Sequence, residues 1–389
     1  MRIEQRLWTQ AGWRRLAGDD LGSEARLVLV FGAAAALRQG AVLAELRDRY
    51  PAALLFGCST AGEIRGDEVS DDSIVATAVC FERAHVLGAS VALAECSEDS
   101  FHAGERLAAS LPLSLPGDGA DAGASLRHVF VLSDGLRVNG SDLVRGLTAC
   151  LPAAVNVTGG LAGDGAQFAE TLVLHDGTAG PGVVAGIGLY GAGLRVGFAS
   201  VGGWDPFGPE RLITRSHGNV LYEFDGQSAL GLYKKYLGEH ADRLPASGLL
   251  FPLSLRTRAG ETPVVRTILA VDEAAQSMTF AGDVPEGAYA RLMKANFDRL
   301  IDGASEAARS SQGAIGPAPA ELAILISCVG RKLLLKQRVE EEVEGVREVL
   351  GPRPVFAGFY SYGEISPFTT GARCELHNQT MTITTLTET

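Results

Sequence analysis

The chain has 389 residues, 46% hydrophobic and 21% charged, which is enough apolar content for a large buried core and enough length for two or three domains. Its net charge of −12 comes without any Lys/Arg-rich block, so nucleic acid is excluded as a natural partner, and no apolar stretch reaches the roughly 20 residues a membrane helix needs. Six cysteines without a CxxC pair exclude a structural zinc site and a disulfide framework.

The opening MRIEQRLWTQAGW carries acid and polar residues where a signal peptide would be uninterruptedly apolar, so a cytoplasmic location is expected. From residue 26, RLVLVFG reads as a strand, AAAALRQGAVLAELRDRY as a helix and PAALLFGCSTAGEI as a second strand closing in a Gly loop. IVATAVCF at 74–81 reads as a returning strand. The same order recurs in HVFVLSDGLRVNG, SDLVRGLTACL and PAAVNVTGGLAGD, with TLVLH at 171–175 as the return. It recurs again in LAILISCVGR, KLLLKQRVEEEVEGVREVL and GPRPVFAGFYSYGEI, with CELHNQTMTITTL returning. Between the second and third units, TPVVRTILAVD and SMTFAGDVP read as a β-hairpin and EGAYARLMKANFDRLIDGASEAARSS as a helix.

The pattern predicts an α/β fold: two related domains built from repeated βαβ units with added antiparallel strands. Residues 1–26 form an N-terminal segment, 27–217 the first domain and 218–389 the second. A right-handed β-loop-α-β crossover brings the loops after both parallel strands to one sheet edge, where open α/β sheets bind ligands. Candidate ligand-binding residues are therefore those of the strand-end loops. They are Cys58, Ser59, Thr60 and Glu63 in the first unit, Ser133, Arg137 and Asp164 in the second, and Ser327, Arg331, Tyr360, Tyr362 and Glu364 in the third. The acid after Gly in each loop, Glu63, Asp164 or Glu364, is expected to line a pocket; the competing reading is that Gly supplies a positive φ and the acid caps a turn. Tyr360 and Tyr362 either pack in a sheet face or line an amphipathic cavity. Cys58 has no nucleophile elbow around it and reads as a small buried apolar residue. The helix at 331–350 begins basic and turns acidic, which a solvated face explains.

FGCSTAGEI, TGGLAGDGAQF, SHGNVLYEFDGQSALGLYKKYLG, ANFDRLIDGA, GFYSYGEISPF and LHNQTMTITTL together resemble FIST proteins, over nearly the whole chain after about residue 25. That resemblance implies a bacterial sensory ligand-binding protein that passes its signal to a sensor histidine kinase or a cyclic-dinucleotide enzyme. A two-domain chain of this size is similar to the NosP group, which implies a haem cofactor and nitric oxide as ligand. With no CxxCH, the haem would be non-covalent b-type, and among the seven histidines the candidate axial ligands are His217, His377 and His175, in that order. A small polar ligand such as an amino acid suits the Gly-acid loops equally. An enzyme using strand-end carboxylates for acid-base chemistry stands against both, and a sensor is favoured because no base, nucleophile or metal cluster accompanies the acids. A homo-oligomer is compatible with all three readings.

Overall fold

The computed structural model describes residues 1–115, 124–257, 263–368 and 371–389. It is a mixed α/β protein in which the three repeated units build three sheets of one design. In the first unit Leu27–Gly32 runs parallel to Leu54–Ser59, and Ile74–Cys80 returns antiparallel beside the first of these. The second unit pairs Leu126–Ser133 with Asn156–Leu161 and returns along Val183–Tyr190. The third pairs Leu322–Cys328 with Val355–Ser361 and returns along Met381–Glu388.

Each unit also sends a hairpin out of its own sheet. Glu63–Arg65 and Glu68–Ser70 leave the first unit and extend the third sheet beyond Val355–Ser361. Gly363–Pro367 and Cys374–His377 leave the third unit for the second sheet, while Val173–His175 and Thr178–Gly180 leave the second for the first. The exchange is cyclic, so no sheet is complete without another unit. One residue repeats for one reason: Gly57, Gly159 and Gly358 sit opposite Val30, Val131 and Leu325, and a Cβ at any of them would overlap that neighbour's backbone carbonyl.

The three sheets turn one face toward a common core, where Phe31 meets Phe359 at 4.7 Å and Phe56 meets Phe130 at 6.1 Å between ring centroids. Helices cover the opposite faces: Gly40–Arg49 on the first sheet, Ser100–Ala109 and Gly140–Cys150 on the second, Phe297–Ile315 and Val339–Leu350 on the third. Residues 1–26 supply two edge strands, Arg2–Thr9 and Gly12–Ala17, to the first sheet. An eight-stranded sheet spanning Trp204 to Ala295, with the helix Ala229–Leu237, forms a separate small core between the second and third units.

Three expectations are corrected. The true return of the second unit is Val183–Tyr190, and TLVLH supplies the exchanged strand Val173–His175 instead. CELHNQTMTITTL is two strands rather than one: Cys374–His377 closes the exchanged hairpin, and Met381–Glu388 is the return. The expected helix beginning at EGAYARL starts at Phe297, because Tyr289–Ala295 is a strand paired with Trp204–His217. The expected hairpin forms between Ile268–Asp272 and Ser277–Phe280; Thr262, heading its first segment, lies outside the described residues.

Candidate functional site

Both loops of each crossover emerge at one edge, as the topology requires, and there the first and third units repeat a carboxyl group. Glu63 accepts the Thr60 hydroxyl at 2.6 Å and the Ser73 hydroxyl at 2.5 Å. Glu364 accepts the Ser361 hydroxyl at 2.6 Å and the hydroxyl and amide of Thr380 at 2.9 and 3.2 Å. The donors correspond, since Thr60 and Ser361 precede their acids by three residues and Ser73 and Thr380 stand immediately before the return strands. Both acids are buried, and burial pushes them up to about 7 for Glu63 and about 8 for Glu364 against the pull of their donors.

The second unit departs from this pattern. By register, Val173 occupies the place of Glu63 and Glu364. Its carboxylate comes from Asp134, at the end of the first strand, which accepts the amides of Leu136, Arg137 and Gly182 and the hydroxyl of Thr171. Asp134 was not among the expected residues, although an Asp-Gly pair directly after a strand is a sequence signal for a carboxylate folded over its own turn. Asp164 is thus not a third equivalent acid. It accepts the amides of Phe168, Ala169 and Glu170 at 2.8–2.9 Å, and the Tyr362 hydroxyl donates to it while that ring stacks on Phe168 at 4.6 Å.

The remaining expected residues divide. Arg331 is fully buried and donates to Glu342 at 2.7 and 3.0 Å, with further bonds to the carbonyls of Leu300 and Gly202 at 2.7 and 3.3 Å. Tyr360 and Ser327 donate to the other oxygen of Glu342 at 2.6 and 3.0 Å. Ser327, Arg331 and Tyr360 are therefore brought together around a helix carboxylate in a closed core. Cys58 packs in the common core, its thiol pushed up by burial, and Ser59 accepts the Leu172 amide at 2.9 Å. The Ser133 hydroxyl is buried with no partner, and Arg137 is exposed.

The three candidate axial histidines lie on three different sheets of the fold and in different surroundings. His217 is exposed at a hairpin tip opposite Val220. His377 is buried with Nε2 at 2.7 Å from the Ser366 carbonyl and Phe368 against its ring, and burial pulls it down to about 4. His175 is half-buried, its Nε2 without a hydrogen-bond partner and close enough to Gly88 that a Cβ there would overlap it. Among the described residues no cluster of three or more His, Cys, Asp or Glu could hold a metal ion.

The open space at the strand ends is a cavity of about 360 Å³ in the first unit. Ala33–Ala35 and Thr60–Glu63 form its floor, Asp71 and Asp72 one wall, and Asp164, Gly165, Gln167 and Glu170 the other. Arg38 closes a corner through its pair with Glu170 at 2.6 Å. The corresponding places in the other two units are filled. In the third the Gln379 amide lies against Gly330 and is held by the Leu249 carbonyl and the Thr267 hydroxyl at 3.1 Å. In the second, Thr171 and Asp134 close over Gly135. Space remains in the first because its floor is alanine and because the wall, the loop from Ala162 to Leu172, is the longest of the three that lead into the exchanged strands. Larger hollows of about 590 and 620 Å³ lie elsewhere, the former beside Asn156 at the amino end of its strand and the latter against Trp13. They are away from the carboxyl edge.

Fold and site together define a ligand-binding module, with a polar cavity at the carboxyl ends of parallel strands. The chain belongs to the FIST family: residues 26–227 match the FIST N domain and residues 229–367 the FIST C domain. FIST domains are sensory domains of signal transduction that bind small ligands and signal to partners. No curated protein matches the chain. Among the described residues no helix is long and apolar enough to cross a membrane.

Proposed function

We propose that this protein senses a small polar ligand such as an amino acid in the first-unit cavity, and passes its occupancy to a partner, a sensor histidine kinase or a cyclic-dinucleotide enzyme, in the bacterial cytoplasm. One observation carries the reading. The strand edge of the first unit holds a cavity of about 360 Å³ whose polar walls are already fixed by other groups: Asp164 by three amides and a tyrosine, Glu63 by two hydroxyls, Glu170 by Arg38. Preorganised walls keep the ordering cost of binding low. For a signal to follow, the ligand must favour one of two states of the protein, and the cavity draws on more than one unit, so closing it shifts one relative to another.

The haem and nitric-oxide reading rests on the resemblance alone. The two separate in one experiment: thermal shift of the purified chain with the L-amino acids, alongside an absorption titration with haemin. A saturable rise in Tm, lost in Asp72→Asn, supports the cavity; a ligand at 100 times its Kd stabilises by about 2.7 kcal/mol. No shift with any amino acid, together with a sharp Soret band that moves with nitric oxide and weakens in His217→Ala, would replace this reading with the haem sensor.

A further inference from the structure

We propose that the ligand carries a primary ammonium group, and that the side chain of Lys332 is the internal cation it displaces; this rests on the cavity reading above. Lys332 belongs to the helix Val329–Leu335 of the third unit, yet its Nζ reaches two residues that line the first-unit cavity, Ala61 and Asp71. There it donates to the Ala61 carbonyl at 2.8 Å, pairs with Asp71, and lies 5.5 Å from the centroid of the Tyr360 ring. A carbonyl, a carboxylate and an aromatic face are the groups that recognise an ammonium. The cavity edge already binds one, supplied by the protein itself.

Two further features fit an exchangeable cation. Gly62, at a φ of +133°, lies directly under the ammonium, and a Cβ there would overlap Nζ, so the backbone is bare where the cation sits. The pair is also unevenly exposed: Asp71 is 65% exposed and Lys332 17%, which leaves the carboxylate open to an incoming ligand. The other wall acids are engaged, Glu63 by hydroxyls, Asp164 by amides and Tyr362, and Glu170 by Arg38. Asp71 and the neighbouring Asp72 are the carboxylates left for a ligand. Exchange of one ammonium for another keeps the Ala61 carbonyl and Asp71 satisfied, while Lys332 gains solvent. Its helix then loses a tie between the third unit and the first, which converts occupancy into a change at Val329–Leu335.

The test is calorimetric titration of the full chain and of Lys332→Met with n-butylammonium, butyl-trimethylammonium and butyramide, with hydrogen exchange of the wild type at saturation. Displacement predicts that Lys332→Met binds n-butylammonium about tenfold more tightly, since a competing cation is gone. It also predicts that the trimethyl and amide probes bind at least tenfold more weakly than n-butylammonium, and that wild-type amides at 329–335 exchange faster when n-butylammonium is bound. Equal or weaker n-butylammonium binding by Lys332→Met, or unchanged exchange at 329–335, overturns the proposal. If butyramide or an N-acetyl amino acid, neither of which carries an ammonium, binds while n-butylammonium does not, the proposal falls and the cavity reading stands. Failure of every probe and every amino acid on both proteins removes both. Should Lys332→Met fail to fold, Lys332→Gln takes its place, and the wild-type exchange experiment decides independently.

Discussion

Glu342→Gln tests whether Ser327, Arg331 and Tyr360 are structural. Glu342 and Arg331 are both fully buried, and the carboxylate takes two bonds from the guanidinium, one from Tyr360 and one from Ser327. Glutamine keeps the shape but leaves the Arg331 charge in the core without its counter-ion, a loss of about 3–5 kcal/mol. If the chain unfolds as a unit, an unfolding entropy of about 2.1 cal/mol/K per residue over 389 residues amounts to about 0.8 kcal/mol/K, so a loss of about 4 kcal/mol lowers Tm by about 5 °C. Tyr360→Phe removes one charge-assisted bond and costs about 1.5–3 kcal/mol. The double variant Arg331→Met, Glu342→Leu removes both charges and recovers the part of the loss due to the unpaired Arg331, while the Tyr360 and Ser327 hydroxyls still lose their acceptor. Calorimetry or circular-dichroism melts of the four proteins measure all of this. If Glu342→Gln melts within about 1 °C of wild type, or Tyr360→Phe loses ligand affinity without losing stability, the closed-core account is wrong and these residues return to the binding site.

Glu63 and Glu364, raised by burial to about 7 and about 8, hold protons in the folded chain over a range where the unfolded chain, near 4.5, has released them. Stability therefore falls as pH rises from about 4.5 through 7 to 8 by up to about 1.4 kcal/mol per pH unit for each, and urea melts of Glu364→Gln should show a flatter slope across that window; an unaltered slope would refute the assignment. Gly358→Ala drives a methyl into the Leu325 carbonyl and should destabilise by about 1–3 kcal/mol, read by the same melts, as should Gly57→Ala at Val30. Tyr362→Phe frees the Asp164 loop from the third unit and should weaken ligand affinity severalfold with a small change in Tm, because the three amide bonds to Asp164 remain.

The βαβ units were legible because each is local: period-2 strands, a helical stripe and a Gly loop follow one another within a short stretch of chain. The exchange of hairpins was not, since Glu63 finds Phe359 and Val173 finds Cys58 across distances that no periodicity encodes. Glu342 was hidden in an acidic run read as a solvated face. Its helical phase carried the signal, for it lies three residues after Val339 and four before Val346, on the stripe that packs inward. The strand Tyr289–Ala295 was absorbed into the helix after it, although its burial alternates at Ala290 and Leu292 against Tyr289 and Arg291. Lys332 gave no local sign, because its partners Ala61 and Asp71 belong to the first unit.

G-x-x-[ST]-x-G-E-I occurs at Gly57–Ile64 and again at Gly358–Ile365, a repetition that fits matching walls of related sites or of one shared site, yet the surroundings of the two Glu clusters differ. In the third unit Ser361 and Thr380 close around Glu364, and Gln379 lies beside Gly330 with its amide nitrogen donating to the Leu249 carbonyl and the Thr267 hydroxyl. In the first, Thr60 and Ser73 close around Glu63 in the same way, but the facing residues are alanines and the space stays open. A buried carboxyl clasped by hydroxyls is thus the shared means of tying the exchanged hairpin to the start of the return strand, and it sets the geometry of the edge. What stands over the edge differs among the three units: Gln379 in the third, Thr171 and Asp134 in the second, and in the first an open cavity beside which Lys332 pairs with the exposed Asp71.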